Sequence, residues 1–370
     1  MDADARSLPE DIIRNILSRI PVRSLLRFQC VSRQWRALIK TPSFVAEHLR
    51  RQSPCLLFTW EQDRALNLRL LDFENMQLRP VQGPHLVSGL DYGGIMGSTN
   101  GLPCFRISRD TFYVWNPAIG ELRMTPEVIE PDNGYPNVGF GFSPVINDYK
   151  IVVIWESKFP FFVQVYSLTS GSWKEVECEI IKGISLLRFI SPGVTTNGTI
   201  FWLAMNDDGD VIVSFDVALE LFTFIPVPVV EEDSRCSRLV VYENKLALFI
   251  KRLLSENLEY TDFWVMEERD VVASSSSYGE RWSWTKKFNT TLPRNMSPLM
   301  IWKNEIVCRV DNKHVAEWSR WKEEKSRIYL FNLKTGESDN MLVIHESYMC
   351  IDYVESLVPV GGNKLSVIFM

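Results

Sequence analysis

The side chains able to do chemistry in this 370-residue chain are few and scattered. The four histidines are His48, His85, His314 and His345, and none stands at metal-ligand spacing from another or from a cysteine. No His-Glu-x-x-His signature occurs. The seven cysteines, at positions 30, 55, 104, 178, 236, 308 and 350, include no CxxC pair. An odd, dispersed set reads as reduced core thiols rather than as a disulfide framework or a zinc site. His314 and Glu317, in KHVAEWSRWKEEK, could be drawn as an acid–base pair, but a solvated inter-strand loop accounts better for so charged a stretch. DYGGIMGSTNG, at 91–101, is rich in glycine without opening a helix, so it lacks the amide-rich terminus that a phosphate cradle needs. There is no GxSxG elbow and no Walker loop. The expectation is a chain with no catalytic residue, no metal site and no cofactor.

Attention therefore moves to the elements such a chain would use for binding. At 46% apolar and 23% charged, with 12 Trp and 21 Phe, it has material for a sizeable core. MDADARS is followed by no leader-like apolar stretch, so no secretory signal is expected. The Asn-x-Ser/Thr sequons at Asn197, Asn289 and Asn295 then carry no meaning. The longest apolar runs, such as IVVIW at 151–155, fall far short of the roughly 20 residues that span a bilayer. The expected compartment is the cytosol or nucleus, with no membrane partner.

Charge divides the chain. Residues 1–51 carry ten Lys/Arg against five Asp/Glu, whereas the remainder carries 30 against 41. A basic head on an acidic body points to an acidic partner for the head. Nucleic acid is a poor candidate: Arg14, Arg19, Arg23, Arg27, Arg33 and Arg36 spread around the helices, and no recognition-helix signature stands out.

The head reads as helices. Ser7-Leu8-Pro9-Glu10 fits a capping box, and Leu8, Ile12, Ile13, Ile16, Leu17 and Ile20 cover about half of the first helix until Pro21 ends it. VRSLLRFQCV forms a second helix, again apolar over more than half its surface. Ser32 caps a third, RQWRALIK, and Thr41-Pro42 restarts a short fourth. About 45 residues cannot bury two such helices, and each stranded Ile or Leu forgoes roughly 1.5–3 kcal/mol. The surplus must dock on the body or on another protein, and these physical terms leave both open.

LPEDIIRNILSRIPVRSLLRFQCVSRQWRALI, continuous over about 35 residues, resembles an F-box: an opening Leu-Pro-Glu-Asp, an aliphatic first helix, a second proline, a Leu-Leu-Arg-Phe helix and a Val-Ser-x-x-Trp entry to the third. The resemblance implies a three-helix module that docks on an acidic Skp-type linker protein and, through it, on a cullin–RING scaffold. The linker-binding residues it suggests are Leu8, Pro9, Ile12, Ile16, Leu17, Pro21, Leu25, Leu26, Cys30, Val31 and Trp35. Some of these must instead hold the three helices together.

Past residue 50 the pattern changes to short strands separated by turn signals. Asn100, Asn147, Asn197, Asn244 and Asn304 each sit at an expected hairpin between two apolar strands, spaced 47, 50, 47 and 60. A second strand–turn–strand series follows each, in LRLLDFENMQLRPV, FYVWNPAIGELRMTP, VQVYSLTSGSWKEV, VIVSFDVALELFTFIPV and IYLFNLKTGESDNMLV. A sixth, DFWVMEERD with RWSWTKKF, is interrupted by VVASSSSYG. A repeat of four strands near 50 residues predicts a β-propeller of six four-stranded, kelch-like blades. The first blade lacks its innermost strand, and IDYVESLVPV is expected to supply it and close the ring.

VWNPAIGELRMTP, GFGFSP before DYKIVVIW, VQVYSLTSGSWKEV, GTIFWLA, FWVMEE and SWTKKF also resemble the plant F-box-associated interaction domain, over roughly residues 95–345. The paired glycines of kelch repeats proper are absent. The expected organisation is an all-α module at 1–50 and an all-β propeller at 51–370. The function it implies is that of a non-catalytic substrate receptor of a ubiquitin ligase, with an F-box protein acting outside the ligase, or less plausibly a propeller enzyme, as alternatives. The segments 156–162, 251–261 and 311–325 should share one face, where Phe159, Phe161, Phe162, Trp318 and Trp321 would anchor an unidentified target protein.

Overall fold

The computed structural model describes residues 8–62, 65–72, 77–81, 94–129, 136–155, 162–178, 187–190, 192–229, 234–253, 255, 258–268, 282–293, 296–302, 305–310, 327–332, 338–343 and 349–361. Four helices come first: α1 (Glu10–Leu17), α2 (Val22–Phe28), α3 (Arg33–Ile39) and α4 (Pro42–Arg51). The strands that follow form six antiparallel sheets arranged as a six-bladed β-propeller.

Each blade runs outward from an innermost strand. Blades two to six begin with Gly94–Thr99, Pro136–Ser143, Val194–Thr196, Ser234–Tyr242 and Met296–Trp302, and each continues into its own next three strands in sequence order. Leu187–Phe189 adds a second short inner strand to blade four. Blade one orders as Met349–Tyr353, Cys55–Gln62, Ala65–Asp72 and Gln77–Pro80, with Cys55 opposite Tyr353 and Thr59 opposite Met349. The pairing strand is thus shorter than IDYVESLVPV suggests, because the chain leaves the sheet after Tyr353.

The hairpins explain the repeat. Asn100, Asn147, Asn197 and Asn244 all join a first to a second strand and all adopt φ between 49° and 60°. In Asn100-Gly101 and Asn197-Gly198 both turn residues have positive φ, as a two-residue hairpin of the right twist requires. Glu243-Asn244 does the same without glycine. Asn304 lies outside the described residues.

Apolar clusters fill the seams. Leu57 and Leu68 of blade one meet Phe105 and Trp115 of blade two. Leu56, Phe58 and Leu71 of blade one meet Ile301, Val307 and Ile328 of blade six. Between blades three and four the backbone of blade three comes unusually close to side chains of its neighbour. A Cβ on Gly139 would lie 2.4 Å from Trp202 Cζ2, and one on Gly141 2.8 Å from Ile200 Cγ1. The glycines of GFGF are therefore places where a neighbouring blade occupies the side-chain volume.

Candidate docking surfaces

The helical module is built around Leu17, Val22, Leu25, Leu38, Ile39 and Phe44, all buried together. α3 is capped by Ser32, whose Oγ accepts from the Trp35 amide at 3.4 Å, and α4 by Thr41, whose Oγ1 accepts from Phe44 at 3.3 Å with Pro42 in the first turn. α1 starts differently. Its N-cap is Pro9, in extended conformation and with no side-chain cap, and Ser7 lies outside the described residues. His48 is a structural histidine: it is fully buried, and its Nε2 donates to the Ile20 carbonyl at 2.9 Å, tying α4 to the end of the first helical stretch. Glu47 joins α4 to α1 through Arg14 Nε at 2.7 Å and also takes Arg51 at 2.8 Å. The hydrogen bond from Arg14 is the main cause that holds the Glu47 carboxyl below its ordinary range.

This packing sorts the eleven head residues. Leu17 and Leu25 are interior and hold the helices together. Leu26 and Trp35 are half-buried, with Trp35 edge-on to Phe28 at 5.6 Å. Pro9, Pro21 and Cys30 are exposed. Leu8, Ile12, Ile16 and Val31 are exposed to 54%, 46%, 48% and 70%. Ile12 and Ile16, four positions apart, lie along one side of α1, and Leu8 stands just before its N-cap. Five arginines, at 19, 23, 27, 33 and 36, are exposed on the same module. Cys30 is thus a surface thiol, against the expectation of core cysteines throughout; Cys55 and Cys236 are partly covered, and the other four are buried.

A segment that strand periodicity does not reveal joins head to body. After Tyr353 the chain runs between the helices and blade two. Leu357 enters the helical core beside Ala118 and Ile119, while Val358 and Val360 pack with α4's Val45 and Leu49 and the core between blades two and three. Asn116 Nδ2 donates to the carbonyls of Ser356 and Val358, Arg123 Nη1 to that of Gly361, and the Val360 amide to Glu121 Oε2. This strap fixes the module over the hairpin between the third and fourth strands of blade two.

Of the aromatic residues expected to anchor a target, Phe159, Phe161, Trp318 and Trp321 lie outside the described residues. Phe162 is described. It is half-buried, opens a third strand opposite Trp155, and packs on the core between blades two and three, so it is tied to the blade rather than presented freely. Of the four histidines only His48 is described, and among the described residues no group of three His, Cys, Asp or Glu could hold a metal ion. Among the described residues, too, no helix is long and apolar enough to cross a membrane.

A partly unburied helical module strapped to a six-bladed propeller defines a class of two-part protein, with one surface on each part. The chain belongs to the F-box associated beta propeller domain family, whose profile matches residues 55–340, and the F-box domain profile matches residues 6–46. It is similar to the F-box protein CPR1 of Arabidopsis thaliana, 28% identical over 385 aligned positions covering 91% of this chain and 88% of that one. It is also similar to the Arabidopsis F-box/kelch-repeat protein At3g23880, 26% identical over 300 positions, covering 76% and 78%. It is thus a plant F-box protein with a C-terminal propeller. Among solved structures, oligogalacturonate lyase from Vibrio parahaemolyticus is 11% identical with a TM-score of 0.44, covering 77% of this chain and 73% of that one. Saccharomyces cerevisiae Sqt1 is 11% identical with a TM-score of 0.39, covering 79% and 72%.

Proposed function

We propose that this chain is a non-catalytic substrate receptor of a Skp–cullin–F-box ubiquitin ligase, working in the cytosol or nucleus. The observation that carries the reading is the exposed set Leu8, Ile12 and Ile16, with Val31, on a module matched by the F-box profile. Within a monomer these side chains forgo burial worth roughly 1.5–3 kcal/mol each, and docking on a linker recovers it. The exposed arginines suit a linker of acidic character. The contact set narrows to Leu8, Pro9, Ile12, Ile16, Pro21, Cys30 and Val31, with Leu26 and Trp35 contributing their open edges.

The target surface follows from strand order. In an antiparallel blade the first-to-second and third-to-fourth hairpins lie at one end and the second-to-third connections at the other. The helices and strap sit on a third-to-fourth hairpin, Ala118–Ile119. The strands flanking 156–161, 254–257 and 311–326 therefore end on the face away from the tether, and we assign the target protein to that face, with Trp318 and Trp321 as its anchors. In the same reading, Met349–Tyr353 closes the ring as the inner strand of blade one, and the blades are kelch-like in period.

Co-precipitation from cells with the proteasome blocked tests the whole. Capture of Skp-type linker, cullin and a ubiquitinated protein is expected. Linker capture that survives Ile12→Asp together with Ile16→Asp rejects the docking surface. Capture of a target that is never ubiquitinated favours action outside the ligase.

A further inference from the structure

At the centre of the propeller the innermost strands of blades one, two, four, five and six line a cavity of about 410 Å³, a size common for small-molecule sites. Its wall carries two formal charges of opposite sign, Arg238 from blade five and Asp352 from blade one. Neither side chain has a hydrogen bond or ion pair among the described residues. Both lie close enough to Cys350 to act on its thiol, whose own contact is with Met300 Sδ at 3.7 Å. Much of the rest of the wall is apolar, including Leu239 and Leu299.

Arg238 is half-buried and Asp352 is open to the chamber, so both present their charge to whatever fills it. Here a guanidinium with five donors and a carboxylate with only acceptors face one chamber and do not meet.

A second observation comes from the backbone. The register slips between Ile95 and Gly97, between Cys236 and Arg238, and between Pro298 and Met300. All three irregularities occur in innermost strands at the chamber wall. A bulge in an otherwise regular ladder re-aims side chains, and bulges are over-represented beside active sites. The slip in blade five falls immediately before Arg238.

We propose that the chamber is a binding site for a small zwitterionic organic acid, its carboxylate on Arg238 and its ammonium on Asp352. Such a ligand offers each charge its counterpart and fits a space lined by the inner strands of five blades. The site is separate from the exposed face of the F-box helices and does not depend on linker docking.

Glycine, β-alanine and γ-aminobutyrate carry the same two charges at increasing separation, and titration calorimetry of the full chain against each tests the site. Saturable binding of at least one is expected, about tenfold or more tighter than that of butyrate or n-butylamine, which each offer one charge. Arg238→Met should remove the preference over n-butylamine, and Asp352→Asn the preference over butyrate. Should either variant fail to fold, the comparison among probes in the unaltered chain still decides. No saturable binding of any zwitterion at about 10 mM, a concentration well above the dissociation constant of even a weak millimolar ligand, overturns the proposal. So does binding undiminished in folded Arg238→Met.

Discussion

The side-chain amide of Asn116 lies 2.8 Å from the carbonyl oxygen of Val358, 242 residues further along the chain. The same Nδ2 donates to Ser356 at 3.0 Å, and Asn116 Oδ1 accepts from the Ala118 amide at 2.9 Å. One fully buried side chain therefore shapes a blade-two hairpin and grips the strap that holds the F-box helices against it. The geometry ties the F-box helices to blade two of the propeller through one side chain.

That coupling gives the first prediction. Asn116→Ala leaves two buried carbonyls without their donor, each costing about 1–3 kcal/mol. The thermal midpoint should fall by several degrees, and limited proteolysis should nick the chain after Tyr353 sooner. Linker capture should persist, because no exposed residue of α1 is touched. An unchanged midpoint and digestion pattern would mean that the strap is held by its apolar contacts alone.

The second prediction separates surface from core within α1. Ile12→Asp and Ile16→Asp place carboxylates at exposed positions and should leave folding intact while abolishing linker capture, since docking would bury them unpaired. Leu17→Asp, one residue on, puts the charge inside the module and should unfold it, detected as loss of helical circular dichroism. Equal effects of Ile16→Asp and Leu17→Asp on folding would contradict the sorting.

How far the sequence foretells this can be argued from a few residues. The Asn hairpins are legible because a two-residue turn demands positive φ, and Asn and Gly are the residues that adopt it at little cost. Ser32 and Thr41 are legible as caps because a hydroxyl just before an apolar period has one obvious local use. At α1 that logic gives way to Pro9, whose fixed φ sets up the helix without a side-chain acceptor. The glycines of GFGF can be seen, but not their reason, which is Trp202 and Ile200 in the next blade. The strap is illegible. VESLVPV has no period, and its carbonyls are satisfied by a side chain some 240 residues away rather than by a ladder. Arg238 is illegible too, since within SRCSRLVVY it reads as one more strand residue until the bulge is seen.

A third prediction concerns Glu220, which holds φ of 58° at the turn position where blades two and three use Gly120 and Gly171. Its carboxylate takes Lys150 Nζ at 2.6 Å, and Lys174 from outside. Lys150 is almost fully buried and also donates to the Val217 carbonyl at 2.7 Å. Glu220→Gly relieves backbone strain of about 1–2 kcal/mol but strands a buried ammonium, which costs about 3–5 kcal/mol. Net destabilisation is therefore expected, and Lys150→Met added to it should restore much of the loss. Burial raises the Glu220 carboxyl, but the hydrogen bonds and charges of the two lysines outweigh it and leave the group below its ordinary 4.5. Because the folded value is depressed, the pair's contribution is fully present above pH 4.5 and is lost as pH falls through the folded value. Denaturant titrations of both variants at pH 7 and pH 3 check this: the gap between Glu220→Gly and the unaltered chain should narrow in acid.

The fourth prediction divides the C-terminal segment into its two roles. Met349–Tyr353 pairs with Cys55–Thr59, whereas Val354–Gly361 forms the strap. A chain ending at Tyr353 keeps the inner strand of blade one and loses the strap with the residues after it. Its propeller should melt cooperatively, with the helices released as a protease-sensitive head. A chain ending at residue 348 also loses the strand, which uncovers the edge of Cys55–Gln62 and removes Cys350 and Tyr353 from the cores shared with blades six and two. An unpaired edge and two opened seams should broaden the transition and promote aggregation. Melting and light scattering of the two truncations, side by side, decide whether Met349–Tyr353 closes the ring. If the shorter chain melts as sharply as the longer one and stays monomeric, blade one is complete without that strand, and the ring is closed by contacts among the remaining blades.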